Sequence, residues 1–223
     1  MPNKPQVAAF VQARMSSKRF PGKVLAELEG RPVIDHVIAR VARVVPRESI
    51  VVATSSDPSD DILARHLGQT GVNVYRGPLE NVFERFRLCL KKHPASWFLR
   101  VGADSPLLDA NLLKHLLGYR HREDVDLITN TFPRTFPVGL SLEMVYAKTF
   151  LAINPQNLSA EEREHLTKVY YRNPQKFRIL NVESRNPDLA AKNFSVDTPE
   201  DLERIKKIMT TGRGMPRMEI KTV

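Results

Sequence analysis

Apolar residues recur along this chain in two alternating rhythms. Val7-Ala-Ala-Phe-Val11 is a short unbroken run of the kind that forms a buried strand, and Ser49–Ala53, Val72–Tyr75, Trp97–Val101 and Val125–Thr129 repeat it. Between these runs the spacing changes to three and four. Val33, Val37, Val41 and Val44, with Ile34 and Ile38, predict a helix from Pro32. Asp57-Pro58 reads as an N-cap followed by proline at the first helical position, opening a helix that ends at Gly68. Leu79–Lys92 and Ala110–Tyr119 are further helices. Strands that alternate with helices imply parallel pairing with helices on both faces, and thus a doubly wound α/β sheet. In such sheets ligands bind beyond the carboxyl ends of the strands.

The rhythm changes after Thr131. Thr131–Gly139 is an aromatic, proline-rich loop, and Leu140–Tyr146 alternates as an antiparallel strand does. Ser159-Ala-Glu-Glu162 is a capping box that starts a helix through Tyr171, and Phe177–Val182 is another strand. Asn193–Val196 leads into Asp197-Thr-Pro-Glu-Asp201, where Thr198 caps, Pro199 takes the first helical position and Asp201 closes the box. The final helix reaches Met209. With no repeat or linker in 223 residues, a single domain over 1–223 is expected, with its core at 7–209 and a basic tail at 210–223 carrying Arg213, Arg217 and Lys221.

Composition excludes several classes. Hydrophobic residues at 42% and charged residues at 26% fit a globular chain rather than a disordered one. No apolar run approaches the roughly 20 residues of a membrane helix, and no signal-peptide core follows Met1, so a cytoplasmic protein is expected. The single cysteine, Cys89, has no internal disulfide partner and reads as a buried thiol on a helix. The charge of +9 suggests a polyanionic partner, whether nucleic acid, a membrane surface or a nucleotide phosphate, although most of the cations are scattered over helix-like segments as on a solvated surface. Zinc-finger spacing, aromatic RNA-binding motifs and a clustered recognition helix are all missing, which argues against nucleic acid.

The candidate chemistry follows the strands. Gln12-Ala-Arg-Met-Ser-Ser-Lys-Arg-Phe-Pro-Gly-Lys23 leaves the first strand with four cations, two serines and one glycine. It reads either as a basic surface loop or as a phosphate cradle, in which cations and backbone N–H groups face the anion. It is neither a Walker A loop nor a dinucleotide fingerprint. Asp104 closes the strand before Ser105-Pro106, as a turn former or as a metal carboxylate. Asp197 remains once Thr198 and Asp201 are assigned to the cap.

Val11-Gln-Ala-Arg-Met-Ser-Ser-Lys-Arg-Phe-Pro-Gly-Lys-Val-Leu25 resembles the signature of the CMP-sugar synthetases, and most closely the branch of spore-coat polysaccharide biosynthesis cytidylyltransferase-like proteins. Acylneuraminate and ketodeoxyoctonate cytidylyltransferases share a looser form of it. The resemblance continues in Arg100-Val-Gly-Ala-Asp-Ser-Pro106 and Val196-Asp-Thr-Pro-Glu-Asp-Leu202, and spans about Val7 to Ile208. It implies a nucleotide-diphospho-sugar transferase fold in which the loop wraps CTP. Gln12 and Ala13 would then lie at the cytosine, Arg14 and Lys23 would be phosphate-binding and catalytic cations, and Ser17, Lys18, Arg19 and Gly22 would cover the phosphates. Asp104 and Asp197 would hold Mg²⁺, with Asp104 catalytic, and Arg76 would lie near the nucleotide. Departures occur at Asn81, Val138 and Ser141, where the branch carries acidic residues. Arg163-Glu-His-Leu-Thr167 also matches that branch, although Glu164 and Lys168 equally suit a helix-surface pair.

The resemblance implies CMP transfer from CTP to a 2-keto sugar acid with release of pyrophosphate, in surface polysaccharide synthesis, by a homodimer. The rival is a nucleotide-sugar glycosyltransferase. Such enzymes often place an Asp-x-Asp at a strand end, and here Asp124-Val-Asp126 precedes the apolar Leu127–Thr129 stretch instead.

Overall fold

The computed structural model describes residues 6–215 and 218–221; Arg217 of the expected tail lies outside them. The strands are β1 (Val7–Gln12), β2 (Glu27–Leu28), β3 (Arg31–Pro32), β4 (Ile50–Ser55), β5 (Asn73–Gly77), β6 (Trp97–Gly102), β7 (Leu127–Thr129), β8 (Glu143–Tyr146) and β9 (Ile179–Asn181). The helices are α1 (Val33–Val41), α2 (Asp61–Thr70), α3 (Val82–Lys92), α4 (Ala110–Gly118), α5 (Ala147–Ala152), α6 (Ala160–Glu164), α7 (Lys168–Arg172) and α8 (Pro199–Thr211). Seven strands form one sheet in the order β5-β4-β1-β6-β8-β7-β9, while β2 and β3 make a small separate hairpin. Only β8 runs against its neighbours in the large sheet, pairing antiparallel with both β6 and β7. The sheet is therefore mixed and mostly parallel, with helices on both faces.

Strand alternation sorts the core into two layers. Ala9 and Val11 of β1 point toward α1, α2, α4 and α8, whereas Ala8 and Phe10 point toward α3, α5 and α7. On the second face Phe10 stacks on Phe98 at 5.4 Å, and Phe86 and Phe150 close around them. The chain leaves β1 for β4 and β5 on one side, then crosses back to β6 on the other. The carboxyl ends of β1 and β6 thus flank the topological switch point, the place where open sheets of this kind bind ligands.

Several expected boundaries shift for local reasons. The helix expected to stop at Gly68 continues to Thr70, because Gly71, at φ 70°, supplies the left-handed cap and Gly68 does not. Asn81 caps α3 by accepting the Glu84 N–H at 2.9 Å, so that helix begins at Val82 rather than Leu79. Both capping boxes form as expected. The helix expected from Ser159 to Tyr171 breaks at His165 into α6 and α7, and Phe194–Val196 forms no strand but bends at Ser195, after a single bridge from Asn193 to Val138. The C-terminal segment is not a free tail: Arg185 N–H donates to Glu219, Lys221 N–H donates to Glu183, and Met215, Met218 and Ile220 pack on the core.

Candidate active site

The loop after β1 is organised around the peptide groups of Met15. Its carbonyl accepts the N–H groups of Ser17 and Gly22, each at 2.9 Å, and its own N–H donates to Asp60 Oδ1 at 2.6 Å. Gly22 adopts φ 77°, a left-handed conformation that an L side chain rarely takes, and this bend directs the chain into a 3₁₀ turn at Lys23–Leu25. Val24 is buried in that turn and anchors it.

From the turn the Lys23 side chain reaches inward, 12% exposed, and its ammonium lies between two carboxylates. Nζ donates to Asp104 Oδ2 at 2.8 Å and to Asp197 Oδ1 at 2.7 Å. Burial disfavours the charged amine, but Asp104 and Asp197 together outweigh it and hold the Lys23 pKa above its ordinary value. Burial likewise opposes ionisation of Asp197. Lys23, then Arg19 at 3.2 Å, and the Ser195 hydroxyl reverse that effect and hold its carboxyl below the usual range.

Both acids are positioned by backbone. Ala103 N–H donates to Gln12 C=O at 3.0 Å, fixing the end of β6 against the end of β1, and the Asp104 carbonyl accepts the Val196 N–H at 2.8 Å. Asp201 accepts the N–H groups of Asp197 and Thr198, so α8 is capped without the Asp197 side chain. That side chain is free to face the site.

Two concavities meet at these acids. One, of about 330 Å³, is lined by Gln12, Ala13, Arg14, Ser17, Lys18, Arg19, Lys23, Val24, Ala103, Asp104, Glu164 and Asp197. The other, of about 250 Å³, shares Gln12, Asp104 and Asp197 and adds Arg100, Gly102, Ser105, Val138, Gly139, Ser141, Glu143 and Ser195. In this second lobe Arg100 donates from Nε to Gln12 Oε1 at 3.0 Å and pairs through Nη1 with Glu143. The other Glu143 oxygen accepts the Tyr171 hydroxyl at 2.6 Å. Burial works against a charged Glu143. Arg100 foremost, and the Tyr171 and Thr167 hydroxyls, overcome it and hold the carboxyl below its usual range. Gly139 admits the close approach of Phe194, since a Cβ there would lie 2.4 Å from the Phe194 carbonyl carbon.

Nine of the eleven residues expected in the site line the first concavity: Gln12, Ala13, Arg14, Ser17, Lys18, Arg19, Lys23, Asp104 and Asp197. Gly22 shapes the loop from behind. Arg76 is not brought there. Its guanidinium donates to the carbonyls of Ser55 and Asp57 and to Asp61 Oδ1, tying β5 to the start of α2. Glu164 does not pair with Lys168, which takes Glu161; it stands 3.9 Å from Arg14 at the mouth of the site. Within Arg163–Thr167 the break leaves Glu164 and His165 exposed and Thr167 buried. Asp60 and the Arg100–Glu143 pair had no assigned role in the sequence, because an acid at a helix start and a charge inside a strand have commoner explanations.

Among the described residues no helix is long and apolar enough to cross a membrane, and no three acidic, histidine or cysteine side chains cluster to hold a metal. A cation at Asp104 and Asp197 would have two protein carboxylates.

Comparison with known proteins gives a consistent result. The cytidylyltransferase family profile matches residues 8–219. The spore coat polysaccharide biosynthesis protein SpsF of Bacillus subtilis is 31% identical over 205 residues, covering 89% of this chain and 84% of its own. A 3-deoxy-manno-octulosonate cytidylyltransferase of Anaeromyxobacter is 25% identical, with 92% of this chain and 98% of the relative covered. Among solved structures, a cytidylyltransferase from Leptospira borgpetersenii superposes with a TM-score of 0.87 at 25% identity over 93% of this chain and 87% of that one. A CMP:2-keto-3-deoxy-manno-octonic acid synthetase complexed with CTP shares the fold, with a TM-score of 0.70 at 21% identity over 93% and 99% of the two chains. With nearly its whole length accounted for by that profile, the chain belongs to the cytidylyltransferase family and is a nucleotidyltransferase.

Proposed function

We propose that this enzyme transfers CMP from CTP to the hydroxyl of a 2-keto sugar acid and releases pyrophosphate. The observation that carries the reading is the meeting of two lobes at one pair of carboxylates. One lobe has a wall of cations suited to a triphosphate, and the other is lined by serines and a paired arginine suited to a polyol. In-line attack requires the acceptor oxygen and the leaving pyrophosphate on opposite sides of the α-phosphorus. That geometry follows if the α-phosphate sits where the lobes join.

The chain's part is positioning and charge neutralisation. Arg14, Lys18 and Arg19 lie along the loop and would hold the β- and γ-phosphates. Lys23 would turn from the carboxylates to the phosphate that gains charge as the P–O bond to pyrophosphate breaks. Gln12, held by Arg100, lies where the lobes join, and it and Ala13 would meet the base. Arg100 and Glu143 neutralise each other and present fixed hydrogen-bonding atoms to the acceptor.

Asp104 and Asp197 fit a divalent ion. They are two carboxylates within reach of one ammonium and partly exposed, and a magnesium ion held by them would take its remaining ligands from phosphate oxygens and water. Mg²⁺ held there would offset the charge of the triphosphate and the departing pyrophosphate.

The relatives' names support a place in surface polysaccharide synthesis. The Asp124-Val-Asp126 pair gives no support to a glycosyltransferase. Asp124 is on an exposed turn with Arg122, and Asp126 is buried, accepting the Arg178 N–H at 2.8 Å. Pyrophosphate release measured with each of the four nucleoside triphosphates, against a panel of acidic and neutral sugars, tests the proposal. Release that is indifferent to the base, or that is supported equally by neutral sugars, refutes it.

A further inference from the structure

Asp60 ends the 3₁₀ turn Pro58–Asp60 between β4 and α2, and its side chain is completely buried. All the partners of its carboxylate are donors. Oδ2 accepts the Thr54 hydroxyl at 2.9 Å, the Ser55 N–H at 3.0 Å and the Ser55 hydroxyl. Oδ1 accepts the Met15 N–H at 2.6 Å from the loop after β1, 45 residues away in sequence. A buried carboxylate is costly unless fully hydrogen-bonded, and here both oxygens accept. Three of the bonds stay within the β4–α2 junction. The fourth crosses to the peptide whose carbonyl gathers in Ser17 and Gly22.

We infer that Asp60 is a positioning residue for the triphosphate: it fixes Met15, and through Met15 the curvature of the loop that carries Arg14, Lys18 and Arg19. It lines neither lobe and touches no substrate. The buried Arg85, whose Nε and Nη2 have no hydrogen-bond partner, has Asp60 as its strongest favourable charge. A neutral acceptor at position 60 would weaken both the hold on the loop and that interaction. The inference rests on the CTP reading for its ligand, but the anchor itself is a property of the free protein.

Asp60→Asn separates the two sides of the residue. The amide oxygen can keep the Thr54 and Ser55 donors, leaving an NH₂ group facing the Met15 N–H, donor against donor. Calorimetric titration with CTP and with CMP, both in Mg²⁺ buffer, is the readout. CMP leaves the β- and γ-phosphate part of the loop empty. The expected result is at least a tenfold loss of CTP affinity with CMP affinity nearly unchanged, so that the preference for CTP over CMP collapses. Ser55→Ala is the control: it removes a partner from Oδ2 and leaves the Met15 contact, and it should lower the melting temperature with the CTP preference intact. An unchanged preference in Asp60→Asn, or an equal collapse in Ser55→Ala, overturns the inference. If Asp60→Asn does not fold, the wild-type Met15 amide decides by NMR. It should be shifted downfield and protected from exchange, and exchange as fast as that of the exposed Lys18 overturns the anchor. If wild-type protein itself does not prefer CTP over CMP, it is the nucleotide reading that fails, and the Met15 amide alone then judges the anchor.

Discussion

Replacing Lys23 with methionine should have two effects of opposite sign. The two carboxylate oxygens it bridges lie at most about 5.5 Å apart, since both are within hydrogen-bonding distance of one nitrogen. At an effective dielectric of about 20 their mutual repulsion without the ammonium is about 3 kcal/mol, and their side-chain exposures of 32% and 24% reduce this to about 1–2 kcal/mol through solvent screening. A divalent ion binding the free wild-type protein must first displace Lys23 from two charge-assisted hydrogen bonds, each worth about 1.5–3 kcal/mol before exposure is discounted. A net advantage of about 2 kcal/mol is expected for the variant, or roughly 30-fold tighter binding of Mn²⁺ in the absence of nucleotide. Turnover with CTP should instead fall by about 100-fold or more, because a cation aimed at the developing charge has gone. The free Mn²⁺ resonance signal, followed during titration of each protein, gives the first number, and pyrophosphate release gives the second. Circular dichroism confirms that the variant is folded. Mn²⁺ affinity that is unchanged or weaker in Lys23→Met would show that Asp104 and Asp197 do not form a cation site.

The same site predicts that Asp104→Asn and Asp197→Asn each cut turnover by about 100-fold or more, and that the double variant is scarcely worse than either. Additive losses would mean that the two acids act separately. Asp124→Asn, on its exposed turn, should leave turnover within about twofold and thereby exclude a role for the Asp124-Val-Asp126 pair. Glu143 sits below its usual range when folded, so it contributes stability above the unfolded carboxylate pKa that is lost as pH falls through the folded value. Glu143→Gln should lower stability near neutral pH by about 3 kcal/mol and flatten the acid limb of the stability curve; identical acid slopes in the two proteins, from urea unfolding at several pH values, would contradict this. Burial pushes the Cys89 thiol up to about 12, so it should react with an aromatic disulfide reagent only as fast as the protein unfolds. Rapid labelling of the native protein would refute that placement.

The sequence carried the centre of the sheet clearly, because β1, β4 and β6 are almost wholly buried and read as largely apolar runs, whereas the edge strand β5 keeps Asn73 and Arg76 exposed. Helix starts were legible where a side chain does the capping, as at Ser159 and Thr198. Helix ends were less so: Gly68 and Gly71 look alike in sequence, and only backbone conformation distinguishes the cap. The break between α6 and α7 has no proline or glycine to announce it. In the site, charged residues on the loop and at strand ends were accessible to reading by type and place. Asp60 was not, since its partners are backbone and hydroxyl groups brought together by tertiary structure. Arg76 is the converse case: a basic residue at the expected sequence position whose guanidinium is taken up by Ser55, Asp57 and Asp61 between β4 and α2.

The Lys23 bridge also bears on the order in which this protein acquires activity. Its two hydrogen bonds close sequence separations of 81 and 174 residues, and the second waits for α8 to dock. Contacts this distant in sequence are slow to form, because a long stretch of chain must be ordered before they are made. The single tryptophan, Trp97, lies in β6, is 1% exposed and is paired with β1, so its fluorescence follows closure of the central sheet. Because the proposed site needs Asp197 as well as the central sheet, activity should return after Trp97 fluorescence in a refolding experiment; simultaneous recovery would contradict that order.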